Sequence, residues 1–378
     1  MQSVDGDTTS SSTPSPVLPA TTPRVAVVGA GAAGATCARH LAASGVAVTV
    51  FDKSRGVGGR MSTRRADWVA GDGAVQPARF DHGAPGFTAR SPQFARAVEQ
   101  ACAQGCLQRW APRIAPGSYV PLDGPVLWVP APDMPALCRA WLDGITVQLG
   151  CRIDALRQDD DGWALDSDGQ AVASGFDAVV VAIPPEQAAE LIRPHQRDWA
   201  ERARRLDMRP AWALMAVTDD EGGDIPWDAA WPATGPLAWV VRNDGKPGRD
   251  RTPGVGQWVA HATADWSQTH LEAAAPEVTA ALQDALVRCV GRPLTWYHTA
   301  VHRWRYASVP RAATRADLCW WDAGSGLGVC GDAWGGAGVE GAWTSGRALA
   351  ALLIDHRPGS QARGQVASPT LAPFRRFP

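Results

Sequence analysis

Apolar residues cluster along this chain in runs whose spacing predicts the elements they build. Residues 1–23 are Ser/Thr/Pro-rich and hold too few apolar side chains to offset the entropy of ordering, so a disordered segment is expected. The pattern changes at Arg24. Arg24–Val28 (RVAVV) is a short run rich in β-branched residues, which predicts a buried strand. ATCARHLAASG predicts a helix closed by Gly45, and Val46–Phe51 a second strand ending at Asp52. Strand, turn, helix and strand in about 30 residues make the βαβ unit of a dinucleotide fold.

Ser91-Pro92 opens a further helix, with Ser as its cap and Pro in the first turn. Its apolar positions Phe94, Val98 and Cys102 recur every four residues, and Cys102 and Cys106 read as a small buried pair. Strands are predicted at Ile145–Leu149, Arg152–Leu156, Gly162–Asp166 and Asp177–Ile183. The last is nearly all apolar, as a parallel strand covered on both faces requires. Residues 205–265 hold three more strand candidates (ALMAVT, LAWVVR and GQWVAHAT). Residues 276–290 predict an amphipathic helix, Leu327–Cys330 a strand, and the stretch from Gly346 a closing helix. The tail, 355–378, has the composition of a loose segment. The expectation is an α/β protein with a Rossmann-like dinucleotide domain (24–90, 145–185 and 310–354) and a second, mixed-sheet substrate domain (91–144 and 186–309).

Composition narrows the chemistry. The 36 basic and 38 acidic residues leave a net charge of −2, which argues against a nucleic-acid binder. No run of 18 or more apolar residues is present, so no membrane helix is expected. The start lacks the basic and apolar regions of a secretory signal, which points to the cytoplasm. The eight cysteines form no CxxC and no zinc spacing, so neither a metal nor a disulfide framework is expected.

Three glycine-rich motifs carry the candidate chemistry. Gly29-Ala-Gly31-Ala-Ala33-Gly34 follows the first strand and opens the first helix. The first glycine permits the turn, the second lets a diphosphate approach the backbone, and the third lets helix and strand pack. Asp52, 23 residues after Gly29, is placed to accept both hydroxyls of an adenosine ribose, with Lys53 beside it. A second GxGxxG, Gly326 to Gly331, has its strand inside the motif and no helix directly after it, so it reads as a false match. RGVGGRMSTRR at 55–65 supplies Gly58, Gly59, Arg60 and Met61 for a diphosphate or flavin edge. GDAWGGAGVEGAWTSG at 331–346 supplies Asp332 for ribityl hydroxyls and a helix start for a flavin ring. Motifs so far apart suit an elongated cofactor, FAD.

GAGAAG, FDKSRGVGGRMSTRR, FDHGA at 80–84 and CGDAWGGAGVEGAWTSG together resemble the FAD-dependent amine-oxidase superfamily. FDHGA, RNDGKPGR at 242–249 and HRWRYA at 302–307 narrow the resemblance to bacterial renalase-like NAD(P)/FAD-dependent oxidoreductases. The resemblance covers roughly residues 24–352. It implies an amine-oxidase or p-hydroxybenzoate-hydroxylase-like architecture. It also implies FAD contacts from Gly29, Gly31, Gly34, Asp52, Gly58, Gly59, Arg60 and Met61. His82, Gly83 and Ala84 would approach the isoalloxazine, Ile153 the adenine, and Asp332, Val339 and Ala342 the ribityl and ring. One departure is visible: where the family continues Gln-Tyr-Phe after FDHGA, this chain has Pro85-Gly86-Phe87.

The reaction implied is oxidation of a dihydronicotinamide, an isomeric NAD(P)H, with O2 as acceptor and hydrogen peroxide as product. Such chemistry needs no general base, and no nucleophile motif appears. Arg242, Asn243, His261 and Arg303 are candidates for orienting the substrate, and Trp212, Trp239, Trp258, Trp304 and Trp334 fall in segments expected near the ring. Two alternatives stay open: a flavin amine oxidase or desaturase acting on a small amine or hydrophobic substrate, and a non-catalytic FAD-binding sensor. The amine reading is weakened by the lysines, since Lys53 lies on the adenosine side and Lys246 in a turn-like GKPG segment.

Overall fold

The computed structural model describes residues 22–119, 124, 126–220, 225–310 and 317–356. The expectations for residues 1–21 and for the tail from 357 onward lie outside the described residues. In chain order, β1 (Arg24–Val28), α1 (Ala32–Ala43) and β2 (Ala47–Asp52) form the βαβ unit. A hairpin, β3 (Arg64–Val69) and β4 (Val75–Phe80), leads to α2 (Pro92–Ala103), then β5 (Leu107–Trp110), β6 (Leu127–Pro130) and α3 (Ala136–Trp141). β7 (Thr146–Leu149) precedes β8 (Ala155–Asp159), β9 (Gly162–Ser167), β10 (Gln170–Phe176) and β11 (Ala178–Val181). After α4 (Pro185–Ile192) and α5 (Arg197–Arg204) come β12 (Arg209–Asp219), β13 (Ala229–Ala230), β14 (Leu237–Arg242) and β15 (Val255–Ala262). The chain then runs through α6 (Ala264–Thr269), α7 (Ala275–Val290), β16 (Trp296–Ser308), β17 (Trp320–Asp322), β18 (Leu327–Val329), α8 (Asp332–Gly335) and α9 (Gly338–Asp355).

The first sheet is six-stranded, in the order β17-β18-β11-β1-β2-β7, and parallel except for β17. Its side chains alternate between two cores. Val25, Val27, Val48, Val50 and Val180 join α1 and α9 on one face. Ala26, Val28, Phe51, Val179, Val181, Leu327 and Val329 join α4, α5 and the β8–β10 sheet on the other. A strand buried on both faces has no polar position to alternate with, which is why β1 and β11 read as continuous apolar runs. The false GxGxxG is explained too: its β18 is a strand of this same sheet.

The second sheet is five-stranded and antiparallel, in the order β13-β14-β15-β12-β16. One face packs on α7 through Trp212, Leu214, Trp258, Val278 and Leu282. The other meets the β3–β4 hairpin through Met215, Val217, Val259, Trp68 and Phe80. Strand side chains alternate between faces, so parity alone decides which residues look toward the first sheet.

Residues 91–144, expected in the substrate domain, touch both sheets: Phe94, Val98, Leu107, Val129, Leu137 and Trp141 share a core with β1, α1 and α9, and that core also takes Ala229 and Val241 of the second sheet. One expectation needs correction. The closing helix begins at Gly338, not Gly346. Its glycines read as loop, yet they serve helix packing. An added Cβ on Gly341 would overlap the Gly336 carbonyl, and one on Gly346 would overlap the Ala33 carbonyl of α1. Two smaller differences are local. The strand expected from Arg152 starts at Ala155, and Ala101 rather than Cys102 is the buried position of α2, leaving Cys102 and Cys106 half-buried.

Candidate flavin site

The dinucleotide turn is built as its sequence requires. Gly29 has φ +111°, and an added Cβ would lie 2.5 Å from the Ala182 carbonyl oxygen. A Cβ on Gly34 would collide with the Gly29 carbonyl. Gly31 differs: nothing lies within 4 Å of its added Cβ. It is the N-cap of α1 and offers no side-chain cap, so the first N–H groups of that helix face open space with the positive end of the dipole behind them. This is the seat a diphosphate needs. Gly58 closes its other side: it bridges Gly31 and donates its N–H to the Ala30 carbonyl at 2.9 Å. Gly59 follows with φ +54°, and Met61 is buried. Ala33 is packed beneath α9.

Asp52 ends β2 with its carboxylate held by two backbone donors, Ala30 N–H on Oδ2 at 2.7 Å and Ser54 N–H on Oδ1 at 2.8 Å. Each oxygen keeps a second lone pair for a ribose hydroxyl. Lys53 points away and donates to Gln187 Oε1 at 3.2 Å on the exposed side. Ile153 is buried, and its backbone groups make no backbone hydrogen bond among the described residues.

The two remaining motifs, 272 positions apart, meet in one ion pair. Arg60 donates to both oxygens of Asp332 at 2.8 and 2.6 Å, and to the Ala307 carbonyl at 3.1 Å. Arg60, expected along a diphosphate or flavin edge, has its guanidinium on Asp332. The Arg60 backbone also organises the FDHGA segment: its carbonyl accepts from Ala84 N–H at 2.8 Å and would collide with any Cβ on Gly83. At the start of α9, Gly336 and Gly338 have left-handed φ of +104° and +81° and open space at their Cβ positions. Val339 and Ala342 follow, both buried. A planar ring has room beside the two open glycines, whereas Gly335 and Gly341 are committed to backbone packing.

His82 lies at the centre of the near face of the second sheet. Its carbonyl accepts from Trp304 Nε1 at 2.8 Å and contacts His261 Nε2 at 3.0 Å. Its ring meets His302 edge-on at 4.8 Å and Trp304 at 5.1 Å. Trp239 pairs with His261 across β14 and β15, and its ring stacks on Trp231 at 5.2 Å. The Nδ1 atoms of His82 and His261 and Nε1 of Trp239 are buried without hydrogen-bond partners among the described residues. Burial, then the neighbouring His302, pushes His82 down to about 4, and burial likewise pushes His261 down to about 4. Both imidazoles are neutral near pH 7.

Strand parity separates the other candidates from this face. Arg242 lies over Trp258 on the far face, buried and paired with Asp220 and with Asp244. Arg303 lies over Trp212 and binds Glu272 at 2.8 Å at the surface. Neither is free to orient a substrate, and Trp212 and Trp258 are core residues of that far face. Trp334 packs in the second core against Trp320. Asn243 is a clamp: its amide donates to the Arg79 carbonyl at 2.7 Å and accepts from Asp81 N–H at 3.2 Å. The Pro85-Gly86-Phe87 departure is also structural. Phe87 pairs its backbone with Trp128 and packs on Phe94, and Gly86 fits against Leu127.

One cluster has no counterpart among the expected site residues. Asp81, fully buried, accepts from Lys246 Nζ at 2.8 Å, from Arg249 Nη2 at 2.8 Å and from Thr63 Oγ1 at 2.6 Å. Burial alone would raise the Asp81 pKa, but Lys246 and Arg249 outweigh it and hold the carboxyl below its usual range. Lys246 lies in the turn-like segment expected of it and is buried there. Burial lowers it to about 8, against the pull of Asp81. Both partners lie in quoted motifs, FDHGA and RNDGKPGR, but nothing local in either shows that the two meet.

The buried histidines give a pH prediction. Each has an ordinary value of 6.5, and His82 and His261 fall to about 4 in the fold, so the unfolded chain binds more protons between those values. Stability is then full above pH 6.5 and declines as pH falls toward 4, with a slope of up to about 1.4 kcal/mol per pH unit for each histidine. Urea unfolding measured from pH 7.5 to 4.5 should show this decline, and His261→Gln, which keeps an N–H donor, should make it shallower. An unchanged slope in that variant would remove His261 from the account.

Among the described residues no group of three or more His, Cys, Asp or Glu is placed to hold a metal, and no helix is long and apolar enough to cross a membrane. The open seat at Gly31, the Asp52 carboxylate and the open glycines at the start of α9 fit FAD.

Comparisons with known proteins agree. The family model of the NAD(P)-binding Rossmann-like domain matches residues 27–101, and that of flavin containing amine oxidoreductases matches residues 125–354. A protoporphyrinogen oxidase-like protein from Exiguobacterium sp. 255-15 is similar in fold at a TM-score of 0.66 and 11% identity, over 89% of this chain and 100% of that one. Putrescine oxidase bound to putrescine aligns at 0.56 and 16% identity, over 88% and 99% of the two chains. Cyclohexylamine oxidase from Brevibacterium oxydans IH-35A aligns at 0.56 and 13% identity, also over 88% and 99%. With the glycine turn at the start of α1 and a family match over more than half of its length in place, the chain belongs to the flavin containing amine oxidoreductases and takes FAD as its cofactor.

Proposed function

We propose that this FAD-dependent oxidoreductase oxidises a dihydronicotinamide, an isomeric form of NAD(P)H, with O2 as the final acceptor. The observation that carries the reading is the near face of the second sheet, where His82, His261, His302, Trp239 and Trp304 present aromatic rings, the first two neutral near pH 7. No carboxylate is part of that cluster, and the nearest one, Asp81, is saturated by Lys246, Arg249 and Thr63. Hydride leaves a dihydropyridine under the push of its ring nitrogen and the gain of aromaticity, so the reaction asks the protein for position and not for a base. Bound FAD supplies a two-electron acceptor whose electrons pass on to O2, giving hydrogen peroxide. The rings of Trp304 and His82 would lie flat against the donor and exclude water, while Trp239 and Trp231 would close the side.

A second reading, oxidation of a small amine, is favoured by one observation. Lys246 is buried at Asp81, one residue from His82, so a lysine does stand behind the expected ring position. Its ammonium is occupied by Asp81, which weighs against a role in handling water there.

Anaerobic mixing of the FAD-loaded protein with a mixture of NAD(P)H isomers, followed by flavin absorbance, separates the readings. Rapid bleaching by the nicotinamides is the expected result. Bleaching by putrescine or cyclohexylamine alone would replace it with the amine reading, and bleaching by neither would leave a flavin-binding protein without this turnover.

A further inference from the structure

Away from the flavin site, α1, α2, α3 and α9 form the walls of a half-open cavity of about 240 Å³, with Arg96 and Arg347 on its exposed side. Three of its lining residues are arginines, Arg39 of α1, Arg96 of α2 and Arg347 of α9, and none of its lining residues is acidic. The whole chain has a net charge of −2, so three guanidiniums without a carboxylate at one cavity are a local excess. No ion pair joins any of the three to a carboxylate among the described residues. Burial, and then the positive charges of Arg347 and Arg39, lowers the pKa of His40, which lines the same cavity.

A second observation, independent of charge, also points to a ligand. Thr36 lines the cavity, is 1% exposed, and its Oγ1 has no hydrogen-bond partner among the described residues. A helical threonine ordinarily returns its hydroxyl to a carbonyl of the preceding turn; that of Thr36 does not, and stays open to a partner once the side chain turns toward the cavity. The groups around it are held in place. His40 Nδ1 is fixed on the Thr36 carbonyl at 2.8 Å, and Arg347 lies over the Trp343 ring at 5.4 Å.

We infer that this cavity is a binding site for a small phosphate-bearing molecule. Guanidinium forks match the paired oxygens of a phosphate, and one hydroxyl donor completes the set. A carboxylate would engage one fork and leave the other two arginines without a counter-charge. The cavity falls below the roughly 300–1,000 Å³ of sites for drug-sized ligands, which suits a phosphate with a short carbon skeleton. The site is separate from the diphosphate seat at Gly31, whose residues do not line it.

The test uses FAD-loaded protein, so that the diphosphate seat is filled, and isothermal titration at constant ionic strength. Inorganic phosphate and glycerol 3-phosphate should bind saturably, and chloride should not. Arg39→Gln and Arg347→Gln should each weaken phosphate by about tenfold or more, and Thr36→Val by less, with the flavin spectrum unchanged in all three. Tighter binding of glycerol 3-phosphate than of phosphate would identify an organic ester as the occupant; equal or weaker binding would identify the free ion. Absence of saturable binding, or binding that survives both arginine substitutions, would overturn the inference. None of these readouts depends on the substrate proposed above.

Discussion

An Asp81→Ala variant is expected to lose about 3–5 kcal/mol of folding stability, a large part of the roughly 5–15 kcal/mol that holds most domains together. The Asp81 and Lys246 side chains are fully shielded and that of Arg249 is 2% exposed. Removing the carboxylate leaves two buried cations without a counter-charge, and each must be desolvated without return. The loss should be smaller at pH 9 than at pH 7, because Lys246, held at about 8 only with the pull of Asp81, is lowered further by burial and Arg249 once that carboxylate is gone and sheds its proton. A double variant, Asp81→Leu with Lys246→Met, should recover part of the loss by removing one buried charge with the carboxylate. Urea unfolding of the three proteins at pH 7 and pH 9 checks this. Equal stability of Asp81→Ala and the parent would show that the cluster is not sealed from water.

A Gly31→Ala variant should fold as well as the parent yet fail to retain FAD, while Gly34→Ala should fail to fold normally. The contrast follows from what surrounds each position. Gly31 has φ −77° and open space where a Cβ would go, so the apoprotein accepts alanine without strain. That same space is where a diphosphate must approach the helix N-terminus, and a methyl group there would hold it off its N–H donors. Gly34 instead packs against the Gly29 carbonyl and the Ala182 side chain, so its methyl group meets backbone with or without the cofactor. Thermal unfolding of the apoproteins and flavin content after dialysis distinguish the two. Full flavin retention by Gly31→Ala would move the diphosphate away from this turn.

Asp52 and the uncapped start of α1 were legible in the sequence because local rules create them. A glycine pattern, a strand end and a helix start are each set within a few residues, and their spacing carries into space unchanged. The same holds for β1 and β11, whose apolar runs state that both faces are covered. The residues around His82 were not legible in this way. Arg242, Arg303, Trp212 and Trp258 lie in the same strands as Trp239, His261 and Trp304, and only alternation across the sheet places the first four on the α7 face and the last three beside His82. A shift of one residue in any strand would exchange the two sets, and segment-level reading does not resolve one residue.

The sequence by itself determined an α/β chain with a glycine turn between β1 and α1 and Asp52 at the end of β2, because short-range geometry and side-chain period leave few other outcomes. Tertiary structure decided that Arg60 pairs with Asp332 across 272 positions and that Lys246 meets Asp81 across 165. It also decided that three arginines from three helices share one cavity. Those pairings depend on how sheets and helices dock. Nothing in the residues on either side of a guanidinium or an ammonium records which distant carboxylate, if any, the docking will bring to it.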